Sequence, residues 1–216
     1  MANKILKTFY FVRHGRTEGN AKDTYQGNDI PLSPEGEKQA ESVAERFKNI
    51  STEMIFSSDY MRAKQTAEAI SRKNGAEIKF SPLFREIRRP SEIIGKEKSD
   101  GEPKKIMDEI IRHELEPNWH YSDEETLFDA DARARAALRF LLSRPEKKVA
   151  VVTHEMFLKM MISAMVETDA VRSVEFLRTI RYFMIGENTG ITVAEYGDFG
   201  FGERFRLRIW NDHAHL

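Results

Sequence analysis

The chain has 216 residues, with 34 Lys or Arg against 35 Asp or Glu and a net charge of -1. That balance argues against broad binding to nucleic acid or a membrane surface, although a single cationic cleft remains compatible with it. There is no cysteine, which excludes disulfides, thiolate catalysis and Cys-ligated zinc. With 32% charged residues and a mean hydropathy of -0.55 the composition is that of a soluble protein. No stretch reaches the roughly 18 consecutive apolar residues of a spanning helix. The N-terminal residues carry Lys4 and Lys7 and no continuous apolar run, so no signal peptide is expected and a cytoplasmic location fits. The length suits one domain with a substantial core.

In chain order, residues 5–12 are apolar, β-branched and aromatic, and predict a first strand. Residues 34–49 predict a helix, with Ser33 as N-cap, Pro34 in the first turn and a buried stripe at Ala40, Val43, Ala44 and Phe47. Residues 54–57 predict a short strand and 59–73 a helix ended by Gly75, with Met61, Ala63, Ala67 and Ile70 turned inward. A third strand is expected at 77–80, a long helix at 126–143, a strand at 148–153 and a helix at 156–166. Late strands are expected at 181–185, 190–196 and 204–210, as an antiparallel edge or hairpin. This alternation predicts a three-layer α/β/α sandwich with a mostly parallel central sheet. Residues 88–125 break the rhythm with three prolines, two glycines and dense charge, and Lys104 to His113 has some helical pattern. They are expected to form a helical and loop insertion over the active site, within a single domain spanning the chain.

Ligands of such sheets bind beyond the carboxyl ends of the strands. Arg13 and His14 fall at one such end, Ser57 and Ser58 at a second with Arg62 one turn on, and Thr153 and His154 at a third. A neutral imidazole at a strand end can act as a nucleophile. An adjacent guanidinium can hold phosphoryl oxygens through its planar fork, and a glycine admits close backbone approach. Arg13-His14-Gly15 has all three elements, and by itself suits either phosphoryl transfer or a solvated Arg-His pair at a strand exit.

The wider pattern carries more weight than the tripeptide. Arg13-His14-Gly15 followed by Glu18, Asn20, Gly27, Asp29, Leu32, Gly36 and Ala40 resembles the opening of the histidine phosphatase superfamily, the family of phosphoglycerate mutases, fructose-bisphosphatases and related phosphatases. The run from Ser57 to Ala67, the block Val151-Val152-Thr153-His154 and the run Asn188-Thr189-Gly190-Ile191-Thr192 are similar to later signatures of that family, in the same order. The resemblance implies that His14 accepts the phosphoryl group and that Arg13 and Arg62 bind its oxygens. It further implies that His154 donates to them and that Asn20 reaches the same group. Glu86 matches the family's acid/base carboxylate, and Gln26 and Gly27 match the loop at the substrate entrance.

Two departures stand out. Glu155 follows His154 where the family usually has glycine, and is expected to point outward from the start of its helix. Arg88 to Gly95 replaces a Gly-rich segment, and its two arginines suit either a second anionic group on the substrate or nearby acids. Trp119-His120-Tyr121 is read as a clasp holding the insertion down or as pocket lining. Arg16 is read as pocket-mouth charge or as plain surface. His113, His120, His213 and His215 are scattered, the last two in a solvated tail, so no metal and no cofactor are expected.

The reading is a phosphatase acting on a small-molecule phosphate monoester through a phosphohistidine at His14, working as a monomer or homodimer. The alternatives are a phosphoglycerate mutase-type phosphotransferase and a weakly catalytic phospho-ligand-binding protein.

Overall fold

Period-two alternation on the central strands decides the architecture. In β1 (Lys4–Arg13) the side chains of Phe9 and Phe11 enter one core while Val12 enters the other. In β4 (Lys148–Thr153) Val149 and Val151 go one way, and Ala150 and Val152 the other. β2 (Met54–Ser57) splits in the same manner between Met54 with Phe56 and Ile55. Strands apolar on both faces must be covered on both sides.

A computed structural model of the protein describes residues 4–216 and shows that covering. Helices α2 (Pro34–Phe47) and α3 (Met61–Asn74) pack on one face. Helices α5 (Leu127–Ser143), α6 (Glu155–Val166) and α7 (Ala170–Phe183) pack on the other. With β3 (Ile78–Phe80), β5 (Ile191–Asp198) and β6 (Glu203–Asp212) the sheet has six strands in the order β3-β2-β4-β1-β5-β6. The first four are mutually parallel, and β5 and β6 run antiparallel at one edge. This is the expected three-layer α/β/α sandwich with a mostly parallel sheet. No helix among the described residues is long and apolar enough to cross a membrane.

Caps set several of the boundaries. The Ser33 hydroxyl accepts from Gly36 N–H, and Thr126 and Asp129 form a reciprocal capping box at the start of α5. Each such cap stabilises its helix by about 1 kcal/mol. Gly75 ends α3 at φ 75°, a left-handed conformation suited to glycine. Gly36 meets a different demand: a Cβ there would collide with the carbonyl of Arg16, so its absence lets α2 sit directly against the loop that leaves His14.

Three expectations are corrected. Residues 181–185 are not a strand, because 181–183 complete α7, whose Val174, Leu177 and Ile180 are buried at helical spacing. The aromatic run at Tyr182 and Phe183 is instead its exposed end. Met61 is 41% exposed because it lies about 200° round the helix from buried Ala63, and α3 starts at Met61 rather than at residue 59. Asp59 lies before the helix, its carboxylate accepting two hydrogen bonds from Arg85 at 2.6 Å each. The C-terminal tail is tied down as well, with His215 Nε2 3.0 Å from Thr189 Oγ1 and Asp212 paired with Arg46.

Within the 88–125 stretch the regular helix is α4 (Gly101–His113). A single bridge pairs Thr24 with Glu97, joining this stretch to the loop after β1. A short helix α1 (Glu18–Ala21), capped by Thr17, begins that loop.

Candidate active site

Register places the two histidines. β1 and β4 are neighbouring parallel strands with Arg13 opposite Thr153, so His14 and His154 leave the sheet side by side. Their rings are tilted at 58° with centroids 5.0 Å apart. His14 is 4% exposed and His154 is fully buried. The main chain at His14 is held from both sides: its N–H donates to Thr153 O at 3.0 Å, and Asn188 Nδ2 donates to its carbonyl at 2.8 Å.

The hydrogen bonds fix which nitrogen of His14 is free. Nδ1 lies 2.7 Å from the carbonyl oxygen of Gly15, which can only accept, so Nδ1 carries the proton. Nε2 is left with its lone pair, which receives Arg62 Nε–H at 3.2 Å. Burial depresses the His14 pKa well below the ordinary histidine value of 6.5, and the positive charges of Arg62 and Arg13 push it the same way. A neutral imidazole with an in-plane lone pair facing cations is suited to attack an electrophilic phosphorus.

Arg62, on the first turn of α3, is 3% exposed, and its Nη1 donates to the Gly27 carbonyl at 2.8 Å. Burial brings its pKa down to about 10, which leaves it charged at neutral pH. His154 pairs through Nε2 with Ser58 Oγ at 2.9 Å, while that oxygen accepts from Tyr60 N–H. The Ser58 hydroxyl can therefore donate to Nε2, placing the imidazole proton on Nδ1. His154 Nδ1 and Arg13 Nε are both buried without a hydrogen-bond partner among the described residues. Two unpartnered donor positions beside His14 suit phosphoryl oxygens.

Glu86 lines the same cleft as Arg13, His14, Asn20, Gln26, Gly27 and Arg62, a space of about 480 Å³. Its Oε1 accepts from the N–H groups of Ile87 and Phe157 at 2.9 Å, and its Oε2 from Met156 N–H at 3.3 Å. The carboxylate thus sits on the N-terminus of α6, where backbone dipoles favour it. Arg133 steadies the loop that carries it, donating to the carbonyls of Arg85 and Leu83 at 2.8 and 3.1 Å. Asn20 Oδ1 is taken up by Thr17, and Gln26 Oε1 accepts from Thr17 Oγ1 at 2.7 Å, so both help shape the loop after β1.

Glu155 does not point outward. Its Oε2 pairs with Arg13 Nη1 at 3.0 Å and its Oε1 with Lys159 Nζ at 2.6 Å. Lys159, one turn further along α6, is 2% exposed and also donates to the Arg181 carbonyl at 2.8 Å. The expectation weighed only the helix dipole, whereas two cations on the inner side attract the carboxylate more strongly. Arg16 pairs with Glu35 at 2.8 Å. Trp119 stacks on His113 at 4.6 Å and 17°.

Sequence reasoning missed Tyr60, whose ring stands edge-on to His154 at 5.2 Å and lies 5.0 Å from the Arg62 guanidinium. It also missed the carbonyl of Gly186, which accepts from Arg13. Tyr60 lies inside the Ser57 to Ala67 block, so its signal was present. The Gly186 contact is made by backbone and has no residue-type signature.

A buried, neutral histidine thus stands at the strand ends of an α/β sheet, framed by two arginines and a second histidine. The profile of the histidine phosphatase superfamily (branch 1) matches residues 9–213, and the chain belongs to that superfamily. It is 32% identical over 166 residues to a probable phosphoglycerate mutase GpmB of Salmonella arizonae, covering 74% of this chain and 75% of that one. The GpmB of Salmonella choleraesuis is 46% identical over a shorter span of 79 residues, 36% of this chain and 37% of that one. Among solved structures, Bacillus stearothermophilus YhfR superposes with a TM-score of 0.78 at 26% identity, covering 97% and 98% of the two chains. A mutant phosphoserine phosphatase of Entamoeba histolytica in complex with phosphoserine gives 0.77 at 25% identity, covering 97% and 99%.

The buried imidazoles make the acid side of the pH profile informative. Arg62 and Arg13 face both rings, Arg133 adds to the field at His154, and Glu86 lines the cleft beside them. Both histidines are depressed below 6.5, so above that pH they are neutral whether the chain is folded or unfolded. Below 6.5 the unfolded chain takes up protons that the folded one refuses, and stability falls with pH until the folded values are crossed. The thermal unfolding midpoint is therefore expected to fall on acidification through this window. Measured from about pH 5 to 8, the acid limb of kcat/KM that belongs to His14 is expected below its ordinary value rather than at it.

Proposed function

We propose that this protein is a metal-independent phosphatase that hydrolyses small-molecule phosphate monoesters through a phosphohistidine on His14. The observation that carries the reading is the neutral, buried His14, whose Nε2 lone pair faces Arg62 beside the unpartnered Nδ1 of His154. Nε2 attacks phosphorus, the P–O bond to the alcohol breaks, and Arg13, Arg62 and His154 hold the three phosphoryl oxygens. Glu86 enters this step with a proton on Oε2, the oxygen with only the long Met156 contact, and gives it to the departing alkoxide. Water then enters, Glu86 takes a proton from it, and the resulting hydroxide breaks the N–P bond to release inorganic phosphate. Of the other carboxylates on the cleft, Glu155 is engaged by Arg13 and Lys159, and Asp123 accepts from Ser91 N–H. That leaves Glu86, whose Oε2 has only one long contact, as the group free to exchange a proton. Asn20, Gln26 and Gly27 form the entrance.

The relation to a probable phosphoglycerate mutase favours a second reading, in which the phosphohistidine returns its phosphate to a second hydroxyl. The two readings separate in one assay. Phosphate release from p-nitrophenyl phosphate in the presence of a chelator is expected to proceed at the same rate with and without a bisphosphorylated primer. Primer-dependent interconversion of phosphoglycerates, faster than phosphate release from any ester, would establish the mutase instead. Phosphate release that the chelator stops would overturn metal independence.

A further inference from the structure

A second cavity of about 390 Å³ adjoins the cleft that holds His14, and Tyr25, Arg89, Lys98, Glu155 and Met156 line both. Its walls come from three places. Met107, Ile110 and Ile111 of α4 form one side, Trp119 another, and Leu127 of α5 with Met156 of α6 the base. Only Pro103 and Ile106 of α4 are themselves buried, so its apolar side faces this space instead of a packed neighbour.

The charged groups around the chamber are largely spent on one another. Glu114 is held by Arg178 and Arg181, each at 2.7 Å, and Glu125 by Arg133 at 2.6 Å. Lys159 holds Glu155, and His113 lies between Glu109 and Glu116. Glu124 accepts from the N–H groups of Tyr121 and Ser122, and Lys98 pairs with Asp23. Arg89, at the junction, has no hydrogen-bond or ion-pair partner among the described residues. With the charges paired, the chamber presents apolar surface to a guest, and its size is that of a small-ligand pocket.

We propose that this chamber is the leaving-group subsite, and that the preferred substrates are phosphate esters of bulky apolar alcohols, aromatic rings above all. The inference rests on the phosphatase reading above. Continuity with the cleft carries it: a phosphoryl group at His14 directs its ester oxygen into a space that opens past Glu155 and Met156 into this cavity. The Arg13–Glu155–Lys159 chain forms the partition between the two spaces. It keeps the carboxylate turned to its cations. The free guanidinium of Arg89 at the entrance disfavours alcohols that carry an amine.

The test compares kcat/KM for 1-naphthyl phosphate and glycerol 3-phosphate. The wild-type ratio is expected to favour the naphthyl ester by about tenfold or more, the gain from burying one ring. Ile111→Trp, which fills the chamber, is expected to lower that ratio by about tenfold, mainly through KM for the naphthyl ester. If Ile111→Trp does not fold, Met107→Ala serves in its place, widening the chamber and shifting the preference toward larger rings. A naphthyl preference that is absent, or a ratio that neither variant moves, overturns the subsite. His14→Ala is assayed on both esters in parallel. If it retains turnover, the phosphatase reading itself fails. If it is inactive while the ratios stay fixed, only the subsite fails.

Discussion

Replacing His14 with alanine lowers hydrolysis of any phosphate monoester by at least about 10⁴-fold, the scale on which loss of a nucleophile is felt. The size of the effect follows from the absence of a substitute. His154, 5.0 Å away, commits its Nε2 to Ser58, and the proton this leaves on Nδ1 makes that nitrogen a donor rather than an attacking atom. Binding is expected to persist, because Arg13, Arg62 and His154 are untouched by the change. The variant should therefore still bind vanadate or inorganic phosphate while failing to turn over. Wild-type protein quenched during turnover should carry an acid-labile, base-stable phosphate, and the variant none. Retained hydrolysis, or an unchanged phosphoenzyme signal, would assign the nucleophile elsewhere.

Arg62→Ala has the next largest expected effect, about 10²- to 10³-fold in kcat, comparable with losing a principal transition-state donor. This side chain is tied to the site twice, through Nε to His14 Nε2 and through Nη1 to the Gly27 carbonyl. Its removal frees the entrance loop as well as removing charge from the phosphoryl group. A second readout distinguishes the electrostatic role from simple loosening. After burial, Arg62 is the largest influence holding the His14 pKa down. Without it that pKa rises, and the acid limb of kcat/KM moves to higher pH. Arg62→Lys is expected to restore part of this shift but little of the rate, since an ammonium carries the charge without the planar fork. A loss of rate with the acid limb unmoved would count against the direct contact.

Much of the fold was legible because local chemistry and tertiary demand agree. Residues 54–56 and 149–152 are continuous apolar runs, as strands covered on both faces use. Ser33-Pro34 and Thr126 announce helix starts that the structure keeps. The family blocks identified residues that the fold then gathers into one cleft. Residues 181–183 have strand-like composition, yet they are the exposed last turn of a helix fixed by Val174, Leu177 and Ile180 upstream. Glu155 obeys the helix dipole in isolation, but Arg13 and Lys159 turn it inward. Gly186 acts through its carbonyl oxygen, which every residue possesses, so no side-chain pattern can report it. The contacts of Arg13 with Glu155 and with the Gly186 carbonyl join residues far apart in sequence, which local patterns do not reach.

The register of Arg13 against Thr153 has a consequence for how such a protein can change. The spacing of the two histidines is inherited from adjacent strands of a buried sheet, while the walls of the neighbouring chamber come largely from residues 88–125. Residues 88–125 also reach the cleft itself, through Arg88, Arg89, Ser91, Ile94, Lys98 and Asp123, but the spacing of the histidines does not depend on them. On the subsite reading proposed above, changes confined to the chamber-facing side of α4 would retune which alcohol is accepted while leaving the strand register that spaces His14 and His154 as it is.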